Sequence, residues 1–303
     1  MKKFLSMILA AMMLLSLTDC AEVPVMKVAS PAGAPGLALA TLAVQNPENY
    51  TFVAAETISA EFASAQADFI VAPINAGAKL FKMGKSTYQL AAVVSWGNLF
   101  FASQKEGFKV EDMNGAKVVL FGENTINASV VRYALEKNGI VPAEIEYLGS
   151  AANTQALLLS DAEAIVVTAE PALTASKMKN DKITAYAVND LYKTATGFEG
   201  YTQAGLFVKA ETAANQPEAV EAFLKLVEEA CLANAENIPA VAEAAVALEL
   251  LPNVKVATNA IPGCAVKFVN AWDAKEQVEQ TANVDLTQFG GAVPADAFYY
   301  GAK

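Results

Sequence analysis

One phrase is written twice in this chain, and it sets most of what the chain can fold into. Ala67 to Phe81 reads ADFIVAPINAGAKLF: an acidic lead, a short apolar run, a break at Pro73, then apolar residues at helical spacing. Ala162 to Met178, AEAIVVTAEPALTASKM, has the same order, with Thr168, Glu170 and Pro171 at the break. An apolar run without alternation, followed at once by a helix, predicts a strand buried on both faces of a parallel sheet. In sheets of that kind ligands sit beyond the carboxyl ends of the strands, so each break is expected at the edge of a crevice. Two such units predict two similar lobes facing one another.

Composition agrees with this and removes several alternatives. A chain of 303 residues, 54% of them hydrophobic, has material for two cores of ordinary domain size. The formal net charge of -11 disfavours nucleic acid as a partner, because such a surface repels phosphate backbones. There is no histidine, and Arg132 is the single arginine. That removes histidine acid–base chemistry, Ser–His triads and the usual zinc sites, so neither a metal nor a cofactor is expected.

The first 20 residues, MKKFLSMILAAMMLLSLTDC, open on two lysines and continue with an apolar stretch from Phe4 to Leu17. This is the pattern of a secretion signal over residues 1–19, too short to anchor as a helix, since a bilayer needs ~20 apolar residues. Leu17-Thr18-Asp19-Cys20 resembles the lipobox of bacterial lipoproteins, departing from it at Asp19, where a small residue is usual. It implies lipidation at Cys20 and attachment to the outer face of the cell membrane. Of the other cysteines, Cys231 lies on the apolar face of a helix and Cys264 in a Pro-Gly loop. Outside the cell they have the chemistry to form a disulfide; buried thiols behaving as small hydrophobes are the simpler reading.

In chain order, a strand, a loop of small residues at Ser30 to Gly33 and an apolar helix precede a strand at Tyr50 to Ala54 and the first copy of the repeated phrase. Tyr88 to Ser103 is a long apolar run broken at Ser95-Trp96-Gly97-Asn98, which reads as a crossing between lobes. The second lobe repeats the plan: a strand ending at Phe121, a Gly-Glu-Asn-Thr loop, a helix capped by Asn124 or Thr125, and then the second copy. Gln203 to Ala210 is expected to return to the first lobe, paired antiparallel with Asn98–Ser103. The lobes are therefore 20–103 with 204–303, and 104–203. From Gln216 onward amphipathic helices are expected, closing with a turn-rich tail whose aromatics dock on a lobe.

Five loops then face the gap: Ser30 to Gly33, Pro73 to Ala76, Ser95 to Asn98, Gly122 to Thr125 and Thr168 to Pro171. At least three precede helices, whose unpaired N–H groups can hold an anion without an arginine. Taken singly, Asn75, Asn124 and Thr125 also read as plain helix caps. Trp96 offers a flat face for stacking on a ligand and is equally a large core residue. Glu170 could receive an amine or pair with a lysine. Tyr192, Phe198 and Tyr201, just before the return crossing, could line the far wall, with packing the simpler reading.

Taken together, the small-residue opening, DFIVAPINAGAKL, the strand through SWGN, LFGENTINASVVRYAL and AIVVTAEPALTA resemble the substrate-binding lipoproteins of bacterial ABC importers. The branch they are most similar to serves nitrate, alkanesulfonates, taurine and thiamine pyrimidines. The resemblance implies a two-lobed type II periplasmic-binding-protein fold of the α/β class, with mixed five-stranded sheets joined by two crossing hinge strands. It also implies a small-molecule ligand held by Ser30, Ala32, Gly33, Asn75, Trp96, Asn98, Asn124, Thr125 and Glu170. The expected role is extracytoplasmic capture by a monomer and delivery to an ABC permease and its ATPase, without catalysis. Two alternatives remain: a ligand-sensing surface lipoprotein without transport, and an enzyme on the same fold. Pyrimidine synthases of this branch use a histidine and a cysteine-rich segment, both absent here; the related dehydratases are cytoplasmic. Metabolic labelling with an alkynyl fatty acid is expected to mark the wild-type protein and to be lost on Cys20→Ser; equal labelling of the two would refute lipidation there.

Overall fold

The computed structural model describes residues 25–301; the signal and Cys20 lie outside them. Among the described residues, eleven strands form two sheets. The first holds β1 (Val28–Pro31), β2 (Tyr50–Val53), β3 (Phe69–Pro73), β4 (Tyr88–Ser95), β10 (Ala204–Lys209) and β11 (Val266–Asn270), in the order β11-β4-β10-β3-β1-β2. The second holds β5 (Leu99–Ser103), β6 (Lys117–Phe121), β7 (Glu144–Leu148), β8 (Ile165–Ala169) and β9 (Thr184–Ala187), in the order β7-β6-β8-β5-β9. This is the two-lobed mixed α/β architecture that the repeat predicts.

The repeated phrase occupies equivalent places in the two sheets. β3 runs into the helix Ile74–Lys82, and β8 is followed by the helix Ala172–Lys177. Both strands are buried except at their last residue, because helices cover each face. On one side each has a parallel neighbour, β1 or β6. On the other side each has an antiparallel neighbour that arrives by a crossing, β10 from the second lobe and β5 from the first.

Two expectations are corrected. Gln203 to Ala210 does not pair with Asn98–Ser103: β10 lies between β3 and β4 in the first sheet, and β5 has both edges filled by β8 and β9. The first sheet also has six strands instead of five, because Val266–Asn270 adds antiparallel to β4 at the edge. That strand directly follows the Pro-Gly turn at Ile261–Cys264, where alternation over five residues is a weak signal. The possible disulfide does not form, in line with the simpler reading. Cys231 and Cys264 are free, buried thiols, and burial pushes the Cys231 thiol up to about 12 and that of Cys264 higher still.

The crossings run side by side and touch. Gln203 N–H donates to the Ser95 carbonyl at 3.0 Å. A Cβ on Gly200 would sit 2.4 Å from the Trp96 carbonyl oxygen, and one on Gly97, whose φ is +85°, would meet the Tyr201 ring at the same distance. A further segment ties the lobes together: the helix Lys275–Val284 packs along the helix Ile126–Lys137, and Thr281 Oγ1 accepts from Thr202 N–H at 3.1 Å. The tail docks as expected, with Phe298 and Tyr299 buried and Tyr300 N–H bonded to the Leu90 carbonyl. Because backbone cannot yield as a flexible side chain does, Gly200→Ala is expected to cost about 1–3 kcal/mol in denaturant unfolding. Wild-type stability in that variant would contradict the close crossing.

Candidate ligand-binding cleft

The strand ends of the first sheet face those of the second across a cleft of about 340 Å³. Pro31, Ala32, Pro35, Ala55, Pro73, Asn75 and Ala76 line it from the first lobe, Asn124, Thr125, Ile126 and Asn127 from the second. Gln203 lies at the return crossing, and Gln288 closes one side.

Two helices begin at this cleft from opposite sides. The helix Ile74–Lys82 starts directly after Pro73, whose ring fixes the extended entry. Its Ile74 N–H is used by the Gln203 carbonyl at 3.1 Å. The next amides, those of Asn75 and Ala76, belong to the first turn that a helix cannot satisfy itself, and no side chain caps them. Across the gap, Thr125 caps the helix Ile126–Lys137: Oγ1 accepts from Ala128 N–H at 3.3 Å and donates to the Gly122 carbonyl at 2.6 Å. Asn124 adopts a left-handed conformation, φ +61°, and its carbonyl accepts from Gln288 Nε2 at 2.9 Å.

The lining offers amides and one hydroxyl, that of Thr125, and no charged side chain. Asn75 is free to serve a ligand, its Oδ1 being buried with no partner in the protein. Asn127 Oδ1 accepts from the Tyr201 hydroxyl at 3.1 Å, which leaves its N–H groups unspent. Arg132 is occupied elsewhere, donating to the Tyr147 hydroxyl and to Ser129 Oγ. Two helix N-termini supply partial positive charge, enough to hold one negative charge or the electron-rich end of a neutral molecule.

Of the residues expected at the site, Ala32, Asn75, Asn124 and Thr125 meet at this cleft. Gly33 adjoins it as the cap of the 3₁₀ turn Ala34–Ala38. Ser30 is buried, its hydroxyl turned to the Pro31 carbonyl. Asn98 belongs to the floor beneath: Nδ2 donates to the Glu170 carbonyl, Oδ1 accepts from Gln203 Nε2, and Gln203 Oε1 accepts from Ser95 Oγ, all within 3.1–3.2 Å. Trp96 and Glu170 line other depressions. The Trp96 indole N–H donates to the Lys267 carbonyl at 2.9 Å. The Glu170 carboxylate accepts from Thr174 N–H and Oγ1 at 3.1 and 2.9 Å. Burial raises its pKa, against the lowering pull of those two bonds and of Lys177.

Asn127, Gln203 and Gln288 also line the cleft and are not among the expected site residues. Asn127 stands two residues past a recognised cap and Gln203 opens a recognised strand, so both were within reach; Gln288 lies in the tail, where no pattern points to a cleft.

The family model described as "NMT1/THI5 like" matches residues 35–239, and the chain belongs to that family. No curated protein matches the sequence. Among solved structures, the chain is similar to an ABC transporter protein from Parabacteroides distasonis, at 19% identity and a TM-score of 0.79 over 92% of this chain and 100% of that one. It is also similar to the periplasmic aliphatic sulphonate binding protein SsuA from Escherichia coli, at 16% identity and a TM-score of 0.70 over 92% of each chain. A third is the alkanesulfonate-binding protein SsuA from Xanthomonas axonopodis pv. citri, bound to MOPS, at 14% identity and a TM-score of 0.62 over 92% of this chain and 99% of that one. At these identities the likeness establishes the shared two-lobed fold.

Because Asn98 joins both crossings to the Glu170 carbonyl, Asn98→Leu would strand Gln203 Nε2 and that carbonyl without partners. A loss of about 2 kcal/mol or more is expected in chemical denaturation; an unchanged midpoint would show that the network is not formed.

Proposed function

We propose that the protein is an extracytoplasmic solute-binding lipoprotein, anchored through Cys20, that captures one small polar molecule between its lobes and presents it to an ABC importer permease. The observation that carries this reading is the lining of the cleft. It combines two helix N-termini, several carboxamides and a hydroxyl, with no carboxylate, lysine, thiol or phenol to move a proton or attack a bond. Such a set recognises without reacting. Membership of the NMT1/THI5-like family and the likeness to ABC-importer binding proteins support the same role.

The solute is uncharged or carries a single negative charge. A multiply charged anion would enter a protein of net charge -11 with no lining cation to meet it. A sulfonate, the class bound by two of the similar structures, falls inside this range. Ala32, Gly33, Asn75, Asn124 and Thr125 are the contacts proposed from the earlier set, joined by Asn127; Ser30 and Asn98 support them from below. Lobe I, 20–103 with 204–303, and lobe II, 104–203, act as the two jaws.

Native mass spectrometry of protein purified without refolding is expected to find one small molecule bound per chain. Asn75→Ala should weaken rebinding of that molecule about tenfold, while Trp96→Phe leaves it unchanged. No adduct, together with no thermal shift across a broad panel of sulfonates and neutral polar solutes, would overturn the reading.

A further inference from the structure

A second compartment lies on the other side of the crossings. The strand ends of the first sheet follow the order β11, β4, β10, β3, β1, β2 along the edge that faces the second lobe. Since β4 leaves into one crossing and β10 receives the other, the crossings divide the gap in two. The cleft described above lies over β10, β3 and β1. The remaining part lies over β11 and the end of β4, opposite the start of the helix Val188–Thr196, which follows β9 at the far edge of the second sheet. It encloses about 470 Å³, more than the cleft itself.

Its walls are apolar and half-exposed: Trp96 and Phe198 come from the two crossings, Val266 and Val269 from β11. The indole N–H of Trp96 is spent on the Lys267 carbonyl, which fixes the ring at the wall. Asn189 and Gln277 add two carboxamides, and the exposed Glu199 and Lys267 add one charge of each sign. Asn189 Nδ2 donates to the carbonyls of Trp96 at 2.8 Å and Gly97 at 3.1 Å. Those two bonds orient the amide, so the atom left over is an acceptor, and Asn189 Oδ1 is buried with no partner. Gln277 Oε1 is likewise buried and unpartnered. Buried acceptors without a donor are uncommon; Asn189 Oδ1 is packed against Gly97, where a Cβ would stand 2.8 Å from it, so the acceptor able to serve the cavity is that of Gln277. Gln277 is half-exposed on the helix Lys275–Val284, so rotation about its side-chain bonds turns the amide into the cavity without moving backbone.

We propose that this compartment is a second small-molecule site, selective for a flat, largely apolar molecule carrying an N–H donor, as in an aromatic amine or amide. The aromatic and valine walls take the body, and the amide oxygen of Gln277 takes the donor. The inference is independent of what fills the front cleft.

The two tryptophans provide the test, because Trp96 lines the compartment and Trp272 does not. Protein labelled with 5-fluorotryptophan, its signals assigned with Trp272→Phe, is titrated at neutral pH with the uncharged probes aniline, benzamide and anisole, the last having no donor. Aniline or benzamide is expected to shift the Trp96 fluorine signal saturably and leave that of Trp272 in place. Anisole should bind about tenfold more weakly, and Gln277→Leu should bring the donor probes down to the same level. Phe198→Ala should weaken all three. No saturable Trp96 shift with either donor probe, anisole binding as tightly as they do, or donor-probe affinity unchanged by Gln277→Leu would each overturn the proposal.

Discussion

The structure depends on two strands of chain passing each other at contact distance between the lobes. They can do so because Gly97 and Gly200 present no side chain where the crossings touch. The gap left beside those glycines is closed by Asn189, which bonds to the backbone of the first crossing, and by the Ser95–Gln203–Asn98 chain of hydrogen bonds, which joins the two. Buried amides paired in this way fix one register of the crossings, since any slip leaves several of them unpaired at once. Other polypeptide could tether the lobes; this arrangement also aligns them.

Alignment is what brings two helix N-termini to the same cleft. The helix at Ile74 is pinned to the return crossing through the Gln203 carbonyl, and the helix at Ile126 is tied to the C-terminal segment through Ser129 and Asp285, at 2.8 Å. Asp285 is held below the usual carboxylate range by the Thr287 and Ser129 hydroxyls and the neighbouring amides, in spite of partial burial. The site therefore acquires its polarity from backbone and amide dipoles and not from ionised side chains. Dipoles fixed in this way need no reorientation when a solute arrives, and they favour small charges over large ones.

Much of this was legible in the sequence, because the signals that mattered were local. The repeated apolar run followed by a helix gave both β3 and β8 their place, since a strand without alternation has to be covered on both faces. The break at Ser95–Asn98 marked the first crossing for a similar reason: Gly97 and a cluster of polar residues have no business inside a buried strand. What could not be read was pairing between distant segments. Gln203–Ala210 resembles Asn98–Ser103 in pattern, and likeness of pattern suggested partnership; in the structure the two strands are counterparts, each inserted into the other lobe. Trp96 and Glu170 directly follow the ends of β4 and β8, yet a strand end turns neighbouring side chains to different sides, so Asn98 went to the floor while Trp96 went round to the far compartment. β11 was passed over because five alternating residues after a proline-glycine turn carry little information until an edge is available to receive them.

On the proposed reading, the same layout makes motion the mechanism. A solute touched by both lobes stabilises the conformation in which both can reach it, and the shift in population equals its preference for that conformation. Glu56 and Glu123 are exposed at the two rims of the cleft, and the buried cysteines leave engineered ones free to be labelled. The direct measurement is pulsed electron–electron distance spectroscopy on Glu56→Cys/Glu123→Cys, in a Cys20→Ser background, with and without the solute recovered from the native protein. The account predicts a distance distribution that shortens and narrows on binding. A distribution that stays where it was, with the solute bound, would contradict it.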